Sequence, residues 1–213
     1  MAAPELSFIH HFEPGPAAAV PVLLLHGTGG DENALLPFGR LVAPGHALLS
    51  PRGKVLEQGK ARYFRRFAEG ILDEDDVRAR AVELADFVAA AQAVHDLPPP
   101  IAIGFSNGAN IAAAMLFLRP AALAGAALLR PMMPLAKPPV SDLGGKRVLI
   151  VSGADDPVMP AGDDERLARQ LRLSGAVVRS EILPRGGHDL CAEDEGVVAA
   201  WMARLSRAAS GRS

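Results

Sequence analysis

Short apolar stretches recur along the chain: Val22 to Leu25, Ala47 to Leu49, Ile101 to Phe105, Ala124 to Leu129, Val148 to Val151 and, with polar residues inside it, Ala176 to Ile182. Most show no alternation with polar positions. A strand with one wet face alternates, so continuous runs this short predict strands buried on both faces, as in a parallel sheet. Between the runs the period changes. Val77, Ala81, Leu84, Val88 and Ala91 recur at helical spacing with Arg and Glu between them, predicting a surface helix over roughly 74–95. The acidic stretch Asp73 to Asp76 suits its N-terminus. Leu167 and Leu171 mark a second helix, and Leu190, Val197, Trp201 and Leu205 a C-terminal one. The segment Ile111 to Leu118 is apolar nearly all round and predicts a buried helix. Strands alternating with helices predict an α/β fold, a mostly parallel central sheet with helices on both faces, in one domain spanning residues 1–213. Residues 51–70 and the proline-rich 131–146 resist assignment. Structureless loops of that length are uncommon in compact domains unless they cover a site.

Composition narrows the class. The chain is 49% hydrophobic and 22% charged, enough for a sizeable core. Its formal net charge of -2 argues against a nucleic-acid partner, which calls for clustered excess Lys and Arg. A single cysteine, Cys191, permits no intrachain disulfide and suits a reducing compartment. The N-terminus shows no basic region leading into an apolar one, and the stretch AAAVPVLLL is too short to span a bilayer. These features predict a cytoplasmic protein with no membrane span.

The run Ile101 to Phe105 ends in Gly104-Phe105-Ser106-Asn107-Gly108, with a helical pattern after it. A strand turning sharply into a helix strains its turn residue, and glycines two positions to either side leave room for the bend. The turn then holds the Ser106 hydroxyl out at the carboxyl edge of the sheet, where open α/β sheets bind ligands. A serine becomes a nucleophile when a base takes its proton, and the base needs a carboxylate to orient it. Of six histidines, His10, His11, His46 and His95 read as solvated or packed, and His26 as structural. His188, in Gly186-Gly187-His188, follows the last strand and reaches the same edge as Ser106. After the run Val148 to Val151 come Asp155 and Asp156; both are available, and Pro157 biases Asp156 toward an extended backbone. Attack on a carbonyl creates an oxyanion. The N–H of Asn107 and one from the glycine-rich loop Gly27-Thr28-Gly29-Gly30 are the expected donors. That loop fits neither a dinucleotide fingerprint nor a Walker loop.

These segments together resemble the bacterial phospholipase/carboxylesterase family of α/β-hydrolases, related to the dienelactone hydrolases. The resemblance is carried by His26 to Glu32, Gly104 to Asn110, Gly153 to Val158 and Gly186 to His188, in the order Ser, Asp, His. Ser50 to Gly53 and Tyr63 to Arg66 are similar to one subgroup linked to breakdown of quinone-type aromatic compounds. The resemblance implies the α/β-hydrolase fold, with Ser106 as nucleophile, Asp156 as acid, His188 as base, and Thr28 and Asn107 as oxyanion donors. It also implies no cofactor, no metal and frequent homodimers. Many dienelactone hydrolases carry a nucleophilic cysteine; Ser106 at that position favours an esterase.

A chain of 213 residues leaves no space for a separate cap domain, so the cover must come from loops. Residues 51–70 carry six Lys and Arg against Glu57 and Glu69, with Tyr63, Phe64 and Phe67 interleaved. They read either as a solvated basic face paired with Asp73 to Asp76 or as a cover for a substrate. Phe64 and Met132 are expected to line the pocket. Cys191 is expected to be packed in the first turn of the last helix. The expected activity is hydrolysis of small carboxylic esters through an acyl-enzyme. Thioesterases and lactone or dienelactone hydrolases share the same machinery, and the pocket chooses between them. A non-catalytic binding protein on this fold is the remaining alternative, opposed by the full set of triad and oxyanion positions.

Overall fold

The computed structural model describes residues 6–17 and 19–210. In chain order, β1 (His10–Glu13) and β2 (Val22–Leu25) precede the short helix α1 (Leu36–Val42) and β3 (Leu48–Pro51). Two small hairpins follow, β4 (Val55–Glu57) with β5 (Lys60–Arg62), and β6 (Arg66–Ala68) with β7 (Ile71–Leu72). Then come α2 (Glu74–His95), β8 (Ile101–Phe105), α3 (Asn107–Leu118), β9 (Gly125–Leu129), β10 (Arg147–Gly153), α4 (Asp163–Leu173), β11 (Val177–Leu183) and α5 (Ala192–Ser210). The main sheet has the order β1-β3-β2-β8-β9-β10-β11. Only β1 runs antiparallel to its neighbour.

The apolar runs are continuous because both faces of the sheet are covered. Leu23, Leu25, Ala102, Ala126, Leu128, Val148 and Ile150 pack with α2, α3 and α4. Their alternates Val22, Leu24, Ile103, Ala127, Leu129, Leu149 and Val151 pack with α1 and α5. Period-2 pleating deals each run to two cores, so no polar residue interrupts it. The run 176–182 departs from this expectation. Here β11 is an edge strand, and Val177 and Ile182 are more than half exposed.

Helix α2 has the predicted bounds, capped by the Asp73 side chain accepting from the Asp76 N–H. The other three predicted helices are present, with Leu190 lying just before α5 rather than within it. Helix α1 has seven residues with Pro37 and Gly39 among them, too short to show a period. Residues 131–146 form no regular element. They are pinned by Met133 N–H to Asp163 and Ala136 N–H to Glu74, with Leu135 and Leu143 fully buried. Among the described residues no helix is long and apolar enough to cross a membrane.

Candidate active site

Five strand ends deliver the site to one edge of the sheet. Ser106 bends β8 into α3 with φ 51° and ψ -113°, a conformation that costs a non-glycine residue about 1–3 kcal/mol. The bend is held from both sides: the Ser106 N–H donates to Leu129 O at 2.8 Å, and its carbonyl accepts from Asn110 N–H at 3.0 Å. The glycines allow close passage. A methyl group at Gly108 would overlap the Leu25 carbonyl, and one at Gly104 would overlap the Gly108 carbonyl.

The His188 Nε2 lies 2.9 Å from Ser106 Oγ, and its Nδ1 lies 2.9 Å from Asp156 Oδ2. A carboxylate only accepts, so the Nδ1 carries the proton and Nε2 is left to accept from the serine hydroxyl. Asp156 is almost fully buried, and its other oxygen accepts from the N–H groups of Val158 and Met159 at 2.8 and 3.3 Å. Asp155 is exposed and makes no contact with His188; its N–H donates to Gly186 O at 3.0 Å. With Ala154 N–H to Leu183 O, that bond extends the β10–β11 ladder past the strands and holds the acid loop against the histidine loop.

Sequence reasoning missed Arg130. Its guanidinium is fully buried and grips Asp194 with two bonds of 2.7 and 2.9 Å. It also donates to the carbonyls of Gly187 at 2.7 Å and Asp189 at 3.4 Å, the residues flanking His188. Arginine after an apolar run reads as a solvated strand end. The one available signal was its place at the catalytic edge beside the proline-rich loop.

The glycine-rich loop is fixed by its own neighbours. Burial holds His26 below the usual histidine range. Neutral, it accepts from Gly53 N–H through Nε2 at 3.0 Å and donates from Nδ1 to Gly27 O at 2.7 Å. The hairpin β4–β5 adds Gly29 N–H to Ala61 O and Arg62 to Thr28 Oγ1, at 2.9 and 2.7 Å. Neither the Thr28 nor the Asn107 N–H meets a backbone carbonyl among the described residues. Both residues line one small cleft together with Ser106 and His188.

The 51–70 stretch combines both expected roles. Arg65 alone reaches the acidic run, bonding Asp73 and lying 3.6 Å from Asp76. Arg62 and Arg66 instead line the cleft and share Glu57, whose carboxyl is held below the usual range chiefly by Arg66. Burial lowers the pKa of Arg62. Tyr63 is buried with its phenol pushed far above its ordinary pKa; it donates to Pro51 O, and its N–H holds the Asn107 side chain at 2.7 Å.

Met132 lines the cleft, but Phe64 does not. Phe64 is fully buried in the core beneath the hairpins, because the chain turns its neighbours Arg62 and Arg66 to the cleft and the aromatic ring inward. Cys191 also departs from expectation: it precedes α5 and is exposed, with its N–H donating to Asp194. Among the described residues no group of three or more His, Cys, Asp or Glu is placed to hold a metal ion.

No protein-family model matches the chain. It is 42% identical over 194 residues to MhqD of Bacillus subtilis (strain 168), which bears a provisional hydrolase name; the match covers 90% of this chain and 96% of that one. Among solved structures it is similar to a Bacillus cereus carboxylesterase, at 39% identity and a TM-score of 0.90, covering 93% of this chain and 94% of the other. A carboxylesterase from Mesorhizobium loti is 34% identical with a TM-score of 0.83, covering 89% and 90%.

Proposed function

The chain belongs to the family of bacterial carboxylesterases with the α/β-hydrolase fold, and from that premise we propose that it cleaves esters of small molecules through an acyl-enzyme on Ser106. The observation that carries this reading is the unbroken line from Ser106 Oγ through His188 to Asp156, with 2.9 Å at each step.

In the first half-reaction Ser106 Oγ bonds to the ester carbonyl carbon while His188 Nε2 takes the hydroxyl proton. The carbonyl electrons move onto oxygen, and the N–H groups of Thr28 and Asn107 receive that charge. As the tetrahedral species collapses, the bond to the leaving oxygen breaks and His188 returns the proton to the alcohol. Water then repeats the sequence on the acyl-serine, freeing the acid and restoring Ser106. Asp156 keeps the imidazole in its Nδ1–H tautomer and stabilises it while charged.

The cleft favours a short acyl group. Hairpin β6–β7 and the proline-rich loop contribute to its lining, with Leu72, Met132, Val158 and Met159 supplying its apolar side chains. Met132→Ala is expected to raise kcat/KM for longer acyl chains relative to acetate. An unchanged chain-length profile would remove Met132 from the pocket. The single cysteine suits a cytoplasmic location.

The test is pre-steady-state hydrolysis of p-nitrophenyl acetate. A burst of one nitrophenolate per chain is expected in the native protein and none in Ser106→Ala. Steady hydrolysis without a burst, and undiminished in Ser106→Ala, would overturn the assignment.

A further inference from the structure

The catalytic cleft holds little on its own. Its free volume is about 30 Å³, space for about two waters at roughly 10–15 Å³ each. An acetyl group on Ser106 already fills that space, so the alcohol half of an ester has to reach beyond it. Where it goes follows from the proton. His188 Nε2 protonates the leaving oxygen, so that oxygen lies against the imidazole, on the side of the loop that carries Asp156.

A second cavity opens on that side. It has a free volume of about 240 Å³ and lies between the ends of β10 and β11 and the start of α4, with Ser152, Ala154, Asp164 and Ile182 in its lining. Met159 lines both spaces, and no other residue is shared between them among the described residues. Its backbone is fixed, because the N–H groups of Val158 and Met159 donate to Asp156 Oδ1 at 2.8 and 3.3 Å. The triad acid thus holds His188 with one oxygen and the base of the partition with the other. The side chain above that base is free to turn: methionine is unbranched, has three rotatable bonds and adapts its shape readily.

Charge narrows what the cavity accepts. Its lining includes Asp156 and Asp164 and no Lys, Arg or His. The Ser152 hydroxyl donates to Asp164 Oδ2 at 2.7 Å, so that donor is already engaged. A carboxylate or phosphate entering here would lose water and meet no cation in exchange. A neutral group meets the apolar surface of Met159, Pro160 and Ile182.

We propose that this cavity is the subsite for the alcohol half of the ester, selective for neutral leaving groups, and that Met159 is the partition whose turning admits them. The proposal rests on acylation of Ser106.

The test uses acetate esters alone. Every substrate then passes through the same acetyl-enzyme, and kcat/KM reports the alcohol half. The esters are methyl acetate, benzyl acetate and 4-carboxybenzyl acetate. Met159→Ala merges the two spaces and is expected to raise kcat/KM for the benzyl ester, relative to the methyl ester, by about tenfold. The same ratio for the 4-carboxybenzyl ester is expected to stay where it stands in the native protein. Ala161→Trp fills the cavity from another wall and is expected to abolish the benzyl gain when combined with Met159→Ala. Fluorophosphonate labelling of Ser106 reports that each variant has folded. A benzyl ratio unmoved by Met159→Ala overturns the proposal. So does an equal gain for the charged ester, which would place the group outside this cavity, or a gain that survives Ala161→Trp. A native protein that forms no acetyl-enzyme from p-nitrophenyl acetate takes the acyl-enzyme reading down as well; an acetyl-enzyme with unmoved ratios overturns the subsite alone.

Discussion

Ser106 occupies a strained backbone conformation that sets its hydroxyl 2.9 Å from His188 Nε2. Asp156 and Asp155 show how finely the roles are divided: one residue apart, the first is buried against His188 and the second faces water. Asp156→Asn is expected to lower kcat by roughly 10³–10⁴ through the wrong imidazole tautomer, and Asp155→Asn to leave it near native; steady-state kinetics on the pair checks both. Pro157 only biased the sequence reading toward Asp156 and the family resemblance chose it, whereas the two glycines marked Ser106 directly. Arg130 was not readable, because nothing local marks an arginine whose partner lies 64 residues away. Breaking a buried ion pair costs about 3–5 kcal/mol, so Arg130→Met is expected to lower the denaturation midpoint markedly. It also frees the carbonyls beside His188. In protein still folded at the assay temperature, kcat is therefore expected to fall with KM little changed; a fall in stability alone would make Arg130 purely structural.

At the scale of elements, the parallel strands were legible as unbroken apolar runs, and the long helix α2 by its period. The run 22–25 and the helix 74–95 needed no tertiary information. The hairpins did not show, since strands of two or three residues carry no period and their side chains serve two masters. In β5 and the residues just after it, Arg62 faces the cleft while Tyr63 and Phe64 enter the core. An aromatic in a presumed cover loop therefore pointed to the pocket by sequence and to the core in fact. The hairpin β4–β5 holds the glycine-rich loop by Arg62 on Thr28 and by Ala61 on Gly29. Arg62→Ala is expected to cost roughly tenfold in kcat with a smaller change in KM, because a displaced oxyanion donor acts on the transition state. An equal loss confined to KM would assign Arg62 to substrate binding instead.

Across the whole molecule, stability and catalysis meet at His26, which is buried, neutral and bonded on both ring nitrogens. Burial lowers its pKa below the ordinary histidine value of about 6.5. Below that pH the unfolded chain takes up a proton that the fold excludes, so unfolding gains free energy as pH falls. This contribution is present above the unfolded value and is lost as pH drops through it toward the lower folded one. The carboxylates held by arginine, such as Glu32 with Arg52, act in a separate and more acid window. The urea midpoint is expected to fall between about pH 7 and 5, with a smaller slope in His26→Gln. Equal slopes in the two proteins would clear His26 of this role.

The most direct measurement is mass spectrometry of the intact chain and its peptides after treatment with a fluorophosphonate. The predicted result is a single adduct on the peptide bearing Ser106, absent from Ser106→Ala. An adduct elsewhere, or one that persists in Ser106→Ala, would contradict a serine nucleophile at this edge of the sheet.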